Sequence, residues 1–351
     1  MRKPATFFLC LSFIAALVWP AQQAFGTRLQ SGRQPEPKPS QRPRTVGPPP
    51  LPKPPIPEKN EEPETIRISS DLVMLVATVF SEDKAVPNLS QDDFQLYEDG
   101  VQQDIVHFAH DEDVPLSLIM LFDTSLSIMS RLEFEKRAAA RFLERLMRPQ
   151  DQAALISFGT DVTLMQGFTN DVPLMIRGLK QLKAKGATSL YDALYLASNH
   201  VQPAKGRHMV VVVSDGGDTT SKKTLKDALA QAQLADAIIY VIWTGSLWPS
   251  ENLRDLAAER ALAALTSETG GQVFYPKALT SPDDKDSDEK TLLELNETFA
   301  KIGEQVRTQY TLGFYPKNDK RDGTFRKLKV QVKRPGLVAR TRSGYFSAKD
   351  Q

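Results

Sequence analysis

The sequence predicts an α/β protein: a doubly wound, mostly parallel sheet inserted into a small β-sandwich-like domain. Three observations carry this expectation. Leu116–Phe122 (LSLIMLF), Met209–Val213 and Ala237–Trp243 (AIIYVIW) are short apolar runs without alternation, the pattern of strands covered on both faces. Segments with helical spacing separate them, which implies βαβ units. Alternating patterns before residue 115 and after residue 316 are each too short to bury a sheet alone, so the two are expected to pair with one another.

The chain starts differently. Arg2 and Lys3 precede an apolar run from Phe7 to Trp19, and Ala24-Phe25-Gly26 offers small residues for cleavage. Residues 1–26 therefore read as a secretory signal. The run is shorter than the roughly 20 residues of a permanent span, although an uncleaved anchor stays open. Its Cys10 is the single cysteine of the chain, which excludes an intramolecular disulfide or a Cys-rich zinc site. Twelve of the 24 prolines lie between Pro35 and Pro63. Proline fixes φ and removes backbone donors, so residues 27–65 are expected to form an extended linker. Six basic residues against Glu36 alone lie between Thr27 and Pro57. Such an arm suits either a solvated spacer or contact with an anionic envelope surface.

From Ile66 onward the chain reads as globular. Ile66–Phe80 is a Val-, Ile-, Leu- and Thr-rich strand. Asp93–Ala109 reads as a hairpin that turns at Asp99-Gly100. Inside the α/β unit, Ile128–Met147 places Leu132, Ala139, Phe142 and Leu146 on one helical stripe. Ala153–Phe158 and Val162–Phe168 are short strands, followed by helices at about 171–184 and 189–202. After the strand at Met209 come a helix at Thr224–Ala235, the strand at Ala237 and a helix at about Asn252–Thr266. A strand at Gln272–Tyr275 and a helix at Leu292–Val306 complete the unit. The charge run Asp283–Lys290 lacks the glycine and final glutamate of a calcium loop and reads as a solvated loop. Thr324–Phe346 returns to alternation, with a turn at Pro335-Gly336 and a returning strand at Leu337–Thr341. The expected division is a signal at 1–26, a linker at 27–65, a sandwich from 66–114 with 317–351, and an α/β unit at 115–316.

In an open α/β sheet, ligands bind beyond the carboxyl ends of the strands. Oxygen-rich segments fall there: Asp123-Thr124-Ser125-Leu126-Ser127, Gly186-Ala187-Thr188-Ser189 and Ser214-Asp215-Gly216-Gly217-Asp218. Carboxylates and hydroxyls without His or Cys suit Mg²⁺, Mn²⁺ or Ca²⁺ better than zinc. This pattern resembles the von Willebrand factor type A domain and its metal-ion-dependent adhesion site. That family has Asp-x-Ser-x-Ser after the first strand, a Thr in a second loop and an Asp after a later strand. The matching positions are Asp123, Ser125, Ser127, Thr188 and Asp215, and the resemblance runs from about Pro115 to Pro316. It implies that Ser125, Ser127 and Thr188 would contact the metal through hydroxyls, with Asp123 and Asp215 acting directly or through water. It also implies an open coordination position for an Asp or Glu carboxylate of a protein partner. The flanking segments, with the phrase Asp93–Gly100 (DFQLYEDG), look like those of exported bacterial relatives. Asp192 stands four residues beyond Thr188, either supporting the site from behind or serving as a helix-start charge. Asp218 reads as a surface residue.

The function expected from this is an exported, cation-dependent protein-binding or adhesion module in the periplasm, the cell envelope or the medium. A structural or assembly scaffold of the envelope is the alternative. With 44 basic and 43 acidic residues, the chain lacks the basic excess of a nucleic-acid binder. It holds no nucleophile elbow, phosphate-binding loop, dinucleotide fingerprint or His-Glu-x-x-His motif. The four histidines lie away from the oxygen cluster, so no catalytic role is expected, and a metal-dependent hydrolase is the least favoured reading. The sequence does not name the ligand, the cation or the oligomeric state.

Overall fold

The computed structural model describes residues 72–110, 114–245, 256–276 and 287–349. The expected signal and Pro-rich linker lie outside these residues, as do Ile66–Asp71, Trp248 and the first half of the Asp283–Lys290 run. The described chain begins with β1 (Val73–Ser81), β2 (Lys84–Ala85), β3 (Phe94–Glu98), β4 (Val101–Gln103) and β5 (Ile105–Ala109). Asp99 and Gly100 both have positive φ, at 47° and 84°, so the turn from β3 to β4 falls where the Asp-Gly pair predicts it. The return strand is not continuous, however. It breaks at Asp104: β4 pairs with β3, whereas β5 crosses to another sheet.

The α/β unit follows with β6 (Leu116–Asp123), α1 (Leu132–Leu146), β7 (Gln152–Phe158), β8 (Val162–Thr169), α2 (Val172–Gln181) and α3 (Leu190–Val201). Next come β9 (Arg207–Ser214), α4 (Leu225–Leu234), β10 (Ala237–Trp243), α5 (Leu256–Thr269), β11 (Gln272–Phe274) and α6 (Ser287–Arg307). The end of the acidic run, Ser287–Lys290, forms the first turn of α6 rather than a loop. Asp and Glu favour the N-terminal end of a helix because they face its positive dipole end. The six strands lie in the order β11-β10-β9-β6-β7-β8, parallel except for β8. Every residue of β6 is buried, as its unbroken apolar run predicts. Alternate residues serve two layers. Leu116, Leu118, Met120 and Phe122 pack with α1, α2 and α6, whereas Ile119 and Leu121 pack with α3, α4 and α5.

The chain leaves β6 for β7 on one side, and later fills the other side with β9, β10 and β11. The switch point therefore lies between β6 and β9, whose register places Phe122 beside Val213. Everything that follows Phe122 meets everything that follows Val213 at the sheet's carboxyl edge.

Past α6 the chain forms β12 (Tyr310–Phe314), β13 (Phe325–Val332), β14 (Leu337–Thr341) and β15 (Gly344–Phe346). Strand β12 has no counterpart in the sequence reading and enters the sandwich ahead of residue 317, pairing with both β1 and β5. Leu337–Thr341 does not fold back on β13. It pairs with β1, and β15 pairs with the opposite end of β13, Phe325–Lys327. The two sheets, β14-β1-β12-β5 and β15-β13-β3-β4, enclose Leu75, Val79, Phe94, Leu96, Leu312, Phe314, Leu328 and Val330. Tyr310 sits among these residues with its ring 5.1 Å from Phe94, and its hydroxyl donates to Val86 O at 2.7 Å. Segments from both ends of the folded region thus interleave in one core.

One buried charge pair joins those segments. Glu98 on β3 and Arg326 on β13 are 2% and 3% exposed and 3.3 Å apart, and the Tyr345 hydroxyl donates to Glu98 at 2.6 Å. Removing one partner of such a pair leaves an uncompensated buried charge. Arg326→Met is expected to lower the unfolding free energy by about 3–5 kcal/mol in urea titration. A loss below about 1 kcal/mol would mean that water already reaches Glu98.

Candidate functional site

Asp123 is the last residue of β6, and Ser214 is the last of β9. Adjacent strands lie about 4.8 Å apart, so the two side chains meet: Ser214 Oγ donates to Asp123 Oδ2 at 2.6 Å. The other oxygen, Oδ1, accepts the Ser125 amide at 2.8 Å, which bends the chain sharply after Asp123. Ser125 Oγ lies 2.9 Å from Ser127 Oγ, and Ser127 Oγ donates to Asp215 Oδ1 at 2.9 Å. A continuous polar chain thus links Asp123, Ser125, Ser127 and Asp215 across the switch point.

Thr188 stands on the neighbouring loop. That loop abuts the Asp123–Ser127 turn through Lys185 N to Thr124 O at 2.5 Å and Leu126 N to Gly186 O at 3.2 Å. Thr188 is buried, and its backbone exchanges hydrogen bonds with Thr219 on the loop that follows Asp215. No hydrogen bond joins its side chain to the other four residues, so it borders the chain rather than forming a link in it. Asp192 lies farther back. Its carboxylate accepts the amides of Lys222 and Lys223 at 3.0 and 2.8 Å, clamping the loop that carries Asp215. Asp218 does similar work, accepting the amides of Tyr191 and Ser221 at 3.2 and 3.3 Å; it is not the free surface residue that the sequence suggested. Gly245 completes the frame. A Cβ there would fall 2.2 Å from Asp215 O, so only glycine lets the end of β10 pack this closely.

The comparisons with known proteins bear on this same segment. Residues 118–217, from the interior of β6 to just past Asp215, match the von Willebrand factor type A domain family. Over this stretch, less than a third of the chain, the sequence is similar to that family. No curated protein matches the sequence. Among solved structures, the PilB minor pilin of Streptococcus sanguinis aligns at 14% identity over 56% of this chain and 62% of its own, with TM-score 0.42. This chain therefore spans less than two thirds of that pilin's length. The vWF domain of the type V pili tip protein Mfa5 of Porphyromonas gingivalis aligns at 14% identity over 54% and 95% of the two chains, with TM-score 0.40. Proximal thread matrix protein 1 of the mussel byssus, solved with a zinc-occupied MIDAS motif, aligns at 17% identity over 59% and 48%, with TM-score 0.43.

The oxygen cluster also contains charges that no motif announces. Arg131, the residue before α1, donates from Nη2 to Asp215 Oδ2 at 2.6 Å. Glu135, one turn later on α1, is fully buried, and neither carboxylate oxygen has a hydrogen-bond partner. Burial pushes its carboxyl up to about 8; nearby Thr244 and Arg131 act against the rise, and the negative charges of Asp123 and Asp215 add to it. Burial likewise raises Asp123, opposed by the donors from Ser214 and Ser125 and reinforced by Asp215. Sequence reading missed Arg131 and Glu135, and named Ser214 only within an oxygen-rich segment, with no role. A basic or acidic residue in an amphipathic helix looks like surface, and only the helix phase of Glu135 beside Leu132 and Ala139 hinted at burial.

The group present fits a divalent cation. Its donors are carboxylate and hydroxyl oxygens, they converge from two loops, and a positive group already sits on Asp215. Among the described residues there is no cluster of three or more His, Cys, Asp or Glu side chains that would hold a metal, so hydroxyls are an essential part of any such set here.

The raised Glu135 carboxyl has a stability consequence. Between its ordinary value of 4.5 and about 8, the unfolded chain releases the proton that the folded chain keeps. Glu135 therefore costs stability progressively as pH rises through that window. Glu135→Gln cannot ionise, so its unfolding free energy relative to the parent is expected to improve by on the order of 3 kcal/mol between pH 5 and pH 8. A difference that stays flat across this range in denaturant titrations would show that Glu135 is solvated.

Proposed function

We propose that the protein is an exported binding module, not an enzyme, which holds Mg²⁺ or Mn²⁺ at Asp123, Ser125, Ser127, Thr188 and Asp215 and captures a carboxylate of a protein partner. The observation that carries this reading is the hydrogen-bonded run of oxygens from Asp123 through Ser125 and Ser127 to Asp215, set at the switch point of the sheet. Where Asp123 or Asp215 reaches the ion through water, few carboxylates touch it directly, and a bound divalent ion would be left under-neutralised and would attract an external anion. That open position is the chemistry the ion supplies; the protein's own residues orient it and frame the approach.

The surroundings suit a protein ligand. Leu126 and Met129 flank Ser127 and are 58% and 61% exposed. Large apolar side chains beside a polar centre form the kind of contact that excludes water around a buried charge pair. The partner that fits thus presents an Asp or Glu next to an apolar residue. Export rests on the apolar run and cleavage pattern of residues 1–26. Among the described residues no helix is long and apolar enough to cross a membrane.

The reading is tested by capture from an envelope extract of the source cell on immobilised full-length protein, with Mg²⁺ and with chelator. A partner is expected to be retained with Mg²⁺, released by chelator and absent from Asp215→Ala, while Leu126→Ala/Met129→Ala weakens retention about tenfold or more. Retention that ignores chelator and Asp215→Ala alike would favour the scaffold reading, in which the sandwich or the Pro-rich arm makes the contacts.

A further inference from the structure

Arg131 is an unusual neighbour for a cation site. Its guanidinium sits 2.6 Å from Asp215 Oδ2, while Asp215 Oδ1 is taken by Ser127. Both oxygens of the carboxylate are therefore engaged, one of them by a positive charge. The engagement is incomplete on the arginine's side: a single Nη2 contact joins the pair, and the buried Nε has no partner. A guanidinium bound to a carboxylate through two parallel bonds would be much harder to displace.

One helical turn away lies the complementary deficit. Glu135 has two buried oxygens without hydrogen bonds, and its amide donates to Arg131 O at 3.1 Å. Residues four apart on a helix have Cβ atoms about 5–6 Å apart, within reach of an arginine. Of the charged groups that act on Glu135, Asp123 and Asp215 are negative and Arg131 is positive. Thr244, just past the end of β10, is the other polar neighbour: its hydroxyl lies near enough to favour the carboxylate but makes no well-formed hydrogen bond. An unpaired buried acceptor and a weakly held guanidinium thus face each other across one turn.

We propose that Arg131 is a built-in competitor of the divalent ion: it holds Asp215 when no metal is bound, and yields it by swinging to Glu135 when metal enters. The inference rests on the cation site proposed above and adds its regulation. The guanidinium and the metal cannot share Asp215 without like-charge repulsion. Pairing with Glu135, whose carboxyl would give up its proton to solvent as the guanidinium arrives, would give the displaced guanidinium a partner and satisfy both orphan oxygens. Metal affinity is then set by a charge outside the five-residue pattern, so the site stays closed at low cation concentration and opens above a threshold.

Calorimetric titration of the full chain with Mn²⁺ alone tests this, with thermal unfolding confirming that each variant is folded. Arg131→Gln is expected to bind Mn²⁺ about tenfold to a hundredfold more tightly than wild type, the range spanned by one charge-assisted hydrogen bond. Arg131→Lys keeps the positive charge in place and should stay near wild type. Glu135→Gln removes the second station and should weaken binding by about tenfold, yet should change nothing when added to Arg131→Gln. Equal affinities for wild type, Arg131→Gln and Arg131→Lys would overturn the competition and leave the cation site standing. Failure of wild type and Arg131→Gln alike to bind Mn²⁺ would overturn both.

Discussion

The central constraint is the side-by-side placement of two carboxylate-bearing strand ends. Parallel pairing of β6 with β9 brings Asp123 next to Ser214 and Asp215, where two like charges share a poorly solvated edge. Such a pair is unstable without compensation. The local structure supplies it in layers: the Ser214 hydroxyl and Ser125 amide on Asp123, the Ser127 hydroxyl and the Arg131 guanidinium on Asp215. The donors come from the turn after β6, the end of β9 and the entry to α1, so all three have positions dictated by this charge problem. A divalent cation is one further solution to it, and the oxygen chemistry of the cluster suits that solution.

The rest of the chain holds this edge steady. Asp192 and Asp218 clamp the 215–224 loop through backbone amides, while Gly245 lets β10 close against Asp215 O. At the opposite edge, Arg307 pairs with the buried Asp151, which also accepts the Leu116 amide at 2.8 Å. That contact ties the end of α6 to the start of β6. The chain then passes directly into β12 and the sandwich, so the α/β unit is anchored at its amino-terminal edge, opposite the oxygen cluster.

Much of this was legible from residue order, and the reason is physical. Strands buried on both faces must be apolar throughout, which made β6, β9 and β10 unmistakable in the sequence. The three oxygen-rich segments were visible because each sits at a strand end or loop that the same reasoning located, and resemblance to a known family singled out the five residues within them. What escaped was partner choice. Alternation tells which face of β14 is buried but not that its neighbour is β1 instead of β13. Nor does it show that β5 leaves its hairpin at Asp104. Strand β12 (YTLGF) carries a mid-strand glycine, which hid it among loop residues. Arg131 and Glu135 were illegible for a different reason: each depends on a long-range neighbour, Asp215 or Thr244, that no local pattern can signal.

The edge between β6 and β9 is proposed as a divalent-cation site. Crystals of the full chain grown with Mn²⁺, with data collected at the manganese absorption edge, test it most directly. One strong anomalous peak is expected, bonded to the hydroxyl oxygens of Ser125 and Ser127, with Asp215 released from Arg131. Manganese found elsewhere, or the Arg131–Asp215 pair unbroken at saturating Mn²⁺, would contradict it.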